Sequence, residues 1–93
     1  MAKDDFDKAK TVVFAANSED LKLKEAKTLA AANCLMVSQV SELAELLKSE
    51  NARISFIKFA YAFTIDRQNY SKLKLSLKEV KNQSAVDELI KLH

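Results

Sequence analysis

The sequence predicts an all-α fold of about six helices, and three observations carry that prediction. The 93 residues contain neither glycine nor proline. One stretch, residues 52–65, is apolar over most of a helix surface. Apolar and capping positions recur at offsets of 30 and 31 residues.

The missing glycine and proline remove the residues on which hairpin turns and strand punctuation usually rely, so a β-rich fold has little to turn on. Phosphate-cradling glycine loops are ruled out with them, which argues against nucleotide hydrolysis. An apolar content of 48% and a charged content of 30% fit one globular domain spanning residues 1–93.

The first helix is expected over residues 5–16, with acidic residues at its positive end and Phe6, Ala9, Val13 and Ala16 on one stripe. Asn17 and Ser18 interrupt it, because short polar side chains compete for backbone hydrogen bonds. Ser18 is the expected N-cap of a second helix, with Leu23, Ala26 and Ala30 facing inward and an end near Asn33. An apolar connector over residues 34–37 leads to a third helix that runs to Lys48 and carries Val40, Leu43 and Leu47.

Ser49 caps the fourth and central helix. At about 100° per residue, Ala52, Ile54, Phe56, Ile57, Phe59, Ala60, Tyr61 and Phe63 sweep roughly 220°. Such a helix must be surrounded by others. Arg53 falls inside the arc but in the first turn, where its stem can pack while the charge reaches water. Asp66 is expected to cap a fifth helix with Tyr70, Leu73, Leu77 and Val80 inward. Ser84 and Asp87 form a weak capping box that opens a short last helix.

Sliding the chain by 31 residues lays Ser18-Glu19 on Ser49-Glu50, Lys27 on Lys58, and Leu23/Ala26/Ala30 on Ile54/Ile57/Tyr61. At an offset of 30, Val40/Leu43/Leu47 meet Tyr70/Leu73/Leu77. Tandem helical hairpins over residues 18–48 and 49–78, between half-units 5–17 and 79–93, are the expected arrangement.

The run Asn33-Cys34-Leu35, Gln39-Val40-x-x-Leu43, Ser49-Glu50-x-x-Arg53-Ile54-x-x-Ile57-Lys58-x-Ala60-Tyr61 and Asp66-x-x-Asn69-Tyr70 resembles the family known as domain of unknown function 4476, from Phe6 to Leu92. Met36 departs from the pattern: its repeat partner is Asp66, so the start of the third helix is expected to shift to Ser38. The resemblance implies an all-helical fold and an accessory role, and it brings no catalytic residues. It leaves the compartment open, because relatives are often exported bacterial domains.

Few residues suit catalysis. The one histidine is His93, the last residue, where nothing orients it as a base. The one cysteine, Cys34, forms no internal disulfide and reads as a small buried hydrophobe. Asp4, Asp5 and Asp7 lack the glycine turn and bidentate glutamate of a calcium loop and suit a helix N-terminus instead. Asp87 and Glu88 point about 100° apart on a helix and make no acid–base pair. No cofactor is implied.

A membrane span would need about 20 apolar residues in a row, and no run is that long. The chain as given carries no secretion signal and reads as soluble, although a signal removed beforehand leaves no trace.

Charge is unevenly placed: residues 1–50 carry seven lysines against nine carboxylates, and residues 51–93 eight basic residues against four. On the fifth predicted helix, Arg67, Lys74, Lys78 and Lys81 fall within roughly 60° of one another. That stripe suits phosphates or an acidic protein surface, and a solvated outer face is its plainer reading. Tyr70 lies on the apolar side, away from any base it would stack on. Leu75 and Phe14 stand off the inner stripes and are either partner contacts or covered by neighbouring helices. The functional expectation is a non-catalytic module that binds another protein or plays a structural part. A salt-dependent nucleic-acid binder is the alternative.

Overall fold

In the computed structural model, which describes residues 1–92, serine side chains set the starts of two helices. Ser18 Oγ accepts from Leu21 N at 3.2 Å and Ser49 Oγ from Ala52 N at 3.4 Å, the two caps the sequence predicts. The helices are α1 (Lys3–Phe14), α2 (Glu19–Ala32), α3 (Val37–Glu45), α4 (Glu50–Ala60) and α5 (Val80–Leu92). A 3₁₀ turn, Tyr61–Phe63, and a 3₁₀ helix, Arg67–Ser76, lie between α4 and α5. The fold is all-α, and among the described residues the single β contact is an isolated bridge between Leu35 and Thr64.

The elements form two rows. α2 packs on α4 and α4 on α5, while α1 packs on α3 and α3 on the 3₁₀ helix. Across the rows, α1 meets α2, α3 meets α4, and the 3₁₀ helix meets α5. Between the rows lies the core, in which Phe6, Phe56 and Tyr70 are the largest fully buried side chains.

Two carboxylates join successive helices of the first row. Glu19 accepts from Lys48 N and Ser49 N, each at 3.0 Å, at the start of α4. Glu50, 31 residues on, accepts from Lys78 N, from Glu79 N at 2.9 Å and from Asn82 Nδ2 at 3.0 Å, at the start of α5. A negative charge there satisfies amides that have no partner inside the helix.

Several expectations are corrected. The fifth predicted helix is a 3₁₀ helix, and its buried residues Tyr70, Leu73 and Ser76 follow the three-residue period of that geometry. Asp66 does not cap it: Asp66 Oδ1 accepts from Val37 N at 2.7 Å, and Oδ2 accepts from Asn69 Nδ2 at 3.2 Å. With that distant cap in place, α3 starts at Val37 and not at Ser38. It ends at Glu45, before Lys48, though Leu47 stays buried. Ser84 lies inside α5, which starts four residues earlier under the Glu50 carboxylate. Val80, expected inward, is 74% exposed for the same reason.

Cys34 is exposed, because in the extended connector its neighbour Leu35 takes the core side and adjacent residues face opposite ways. The central helix stops at Ala60 and leaves Ile65 exposed. Arg53 does not send its charge to water. Its Nε donates to Leu47 O at 2.6 Å and its Nη1 to Ser76 O at 3.0 Å, and Glu45 lies 3.7 Å from Nη2. The guanidinium thereby ties the connector before α4 to the end of the 3₁₀ helix.

Candidate functional site

The predicted basic stripe rests on one continuous helix through residues 67–81, and the chain divides that stretch among three elements. Arg67 opens the 3₁₀ helix, Lys74 lies within it, Lys78 is in the connector and Lys81 is in α5. The Arg67 guanidinium donates to the carbonyls of Tyr61 (3.1 Å) and Ala62 (2.8 Å) and lies 5.5 Å from the Tyr61 ring centre. It finishes the preceding turn, whose last carbonyls need donors. Lys74 Nζ pairs with Asp87 at 3.1 Å and Lys81 with Glu79 at 3.5 Å. Lys78 is exposed, and its backbone N–H is held by Glu50.

Leu75 is 91% exposed. It edges a polar groove of about 310 Å³ between α3 and the 3₁₀ helix, together with Ser41, Asp66, Asn69 and Lys72. Phe14 is exposed as well, with the Lys22 ammonium 5.5 Å from its ring centre. Asp4 and Asp5 sit in the first turn of α1, as predicted for a helix N-terminus. His93 lies outside the described residues.

A larger apolar feature escapes the sequence reading. A groove of about 730 Å³ runs along α2 beside the end of α4, with Leu23, Thr28, Ala31, Ala32 and Phe59 among its walls. Asp20, Lys24 and Lys27 are the charged residues that line it. The arrangement follows from α2, whose fully buried side chains are the small ones of Ala26 and Ala30. Helices joined through alanine approach closely and cover little on either flank. Phe59, on the flank left open, is 38% exposed where the width of the α4 arc predicts burial.

Its ring packs against Phe63 with centroids 5.4 Å apart, and Lys27 Nζ stands 5.6 Å from its centre. Among the described residues no carboxylate lies within ion-pair distance of Lys24 or Lys27. The sequence signal for this groove is the 220° arc itself, roughly twice the apolar stripe of an ordinary surface helix.

Two titrating groups are shifted by their surroundings. Glu50 is held below the ordinary carboxylate range, chiefly by the Lys78 amide it accepts from. Burial pushes the Tyr70 phenol up, and its hydroxyl donates to the Ile57 carbonyl. Both sit at structural joints. Among the described residues no group of three or more His, Cys, Asp or Glu side chains is placed to hold a metal ion, and no helix is long and apolar enough to cross a membrane.

Residues 1–90 match the model of a family described as a domain of unknown function, number 4476. No curated protein and no solved structure matches the chain.

Proposed function

The chain belongs to the family described as domain of unknown function 4476, and from its surface we propose that it is a non-catalytic module that docks another protein. The observation that supports this reading is the open groove on α2 beside the end of α4, where the Phe59 ring stays partly exposed. A groove with an aromatic side chain left partly open to solvent suits a docked partner that would cover it. We read the fold itself as a stack of repeated helical pairs. The Ser18 and Ser49 caps and the Glu19 and Glu50 carboxylates, each pair 31 residues apart, support that reading.

Photo-crosslinking residues placed one at a time at Phe59, Leu75, Lys74 and Lys78 test the proposal in cells that express the whole chain. Adducts to protein at Phe59 are the expected result. Adducts to nucleic acid at Lys74 and Lys78, lost together with low-salt binding of single-stranded or duplex probes in Lys74→Glu/Lys78→Glu, would overturn it in favour of a nucleic-acid binder.

A further inference from the structure

If the chain docks another protein, as proposed above, the groove on α2 narrows the kind of partner. We propose that the α2–α4 groove takes an amphipathic helix whose apolar stripe is flanked by acidic residues. The lining residues Asp20 and Ala32 stand twelve positions apart on α2, which at 1.5 Å per residue is about 18 Å of helix, or three turns. A shallow strip of that length, open along its side, floored by Leu23 and Ala31 and edged by Phe59, matches the i, i+3, i+4, i+7 anchors of a helix laid in a groove.

Charge then selects among such helices. Lys24 and Lys27 follow one another along the groove without an ion-pair partner among the described residues, and the one carboxylate of the lining, Asp20, lies a turn before Lys24. Lys27 rests over the Phe59 ring, a weak contact at an exposed site that leaves its ammonium free to meet a carboxylate. Glutamates beside the partner's apolar stripe would meet both ammonium groups while its leucines cover Phe59. A lysine-flanked helix would bring like charges together over the same floor.

The test uses the whole chain and two fluorescent peptides of about 18 residues, five turns each, sharing one leucine stripe and flanked by glutamate or by lysine. Anisotropy titration at low salt should show the glutamate peptide binding about tenfold more tightly or better, with the difference shrinking as salt is added. Lys24→Glu/Lys27→Glu should reverse the preference. Ala31→Glu, on the exposed floor, should remove binding of both peptides without moving the thermal midpoint, and Thr28→Glu serves if that variant does not fold.

Equal affinities, no binding, or binding that survives both floor substitutions would overturn the proposal. A monomer–dimer equilibrium in sedimentation that Ala31→Glu abolishes would overturn it too, with a second copy as the occupant. Protein adducts at Leu75 with no peptide bound in the groove would leave the docking reading standing and remove only this one.

Discussion

Tyr70, bonded across the two rows, and Glu50, which joins α4 to α5 within one row, show how single side chains hold the fold together and make that grip depend on pH. Tyr70 is fully buried, with its hydroxyl on the Ile57 carbonyl and its ring edge-on to Tyr61 at 4.8 Å. Its raised pKa means that the folded chain keeps the proton after the unfolded chain has released it. Its contribution is therefore intact below the ordinary phenol value of about 10 and is lost as pH climbs beyond it. Tyr70→Phe should cost about 1 kcal/mol at neutral pH, by stranding the carbonyl, and should flatten the alkaline limb of the stability profile. Denaturant midpoints from pH 7 upward check both parts.

Glu50 has the opposite sign. Its lowered pKa leaves the unfolded chain holding the extra proton in acid, so its contribution is present above about 4.5 and fades as pH falls through the lower folded value. Glu50→Gln should lower the thermal midpoint at pH 7 and flatten the acid limb, and thermal melts between pH 7 and pH 3 would show it. The Ser18 and Ser49 caps were legible in the sequence because a cap and its target lie three residues apart. The reach of Glu50, Asp66 and Arg53 was not, because their partners lie between 6 and 32 residues away and only packing brings them near.

At the scale of the element, α4 shows what periodicity resolves and what it leaves undecided. Its arc marks Phe56 and Phe59 alike as inward, yet Phe56 is fully buried and Phe59 lines the groove. Phe56→Ala should cost about 3–5 kcal/mol, the usual loss for an aromatic removed from a packed core. Phe59→Ala should cost less than half as much, since its cavity opens directly to solvent. Parallel urea titrations decide this, and equal losses would mean that the groove closes in solution.

The 3₁₀ helix makes the same point through its period. Tyr70 and Leu73 satisfy an α pattern and a 3₁₀ pattern equally, and the two part only at Ser76 and Leu77, both of which are buried. The pattern within the segment therefore favours neither geometry. The helical argument for the basic stripe goes with it: angles counted at 100° per residue do not survive a change to three residues per turn and a break before Val80.

For the molecule as a whole, the two rows imply a particular way of coming apart. α1 packs on α2 and α3 at one end, and α5 packs on α4 and the 3₁₀ helix at the other. The long dimension, 32 Å against 25 and 17 Å, leaves room for ends that do not report on each other. In a stack, stability is a sum of local and nearest-neighbour contributions, whereas a single bundle unfolds as one unit.

Phe6, fully buried under α1, and Val86, fully buried under α5, are natural probes of the two ends. Phe6→Ala should remove about 3–5 kcal/mol of local stability, and Val86→Ala about 2 kcal/mol. If neighbours alone share the loss, native-state hydrogen exchange in Phe6→Ala will accelerate most in α1 and α2 and least in α5, and Val86→Ala will reverse the gradient. Uniform acceleration in both variants would show that 93 residues unfold as one cooperative body. The repeat would then describe how the chain is patterned and not how it holds together, because the carboxylate joints at Glu19 and Glu50 would be transmitting each end's loss across the whole row.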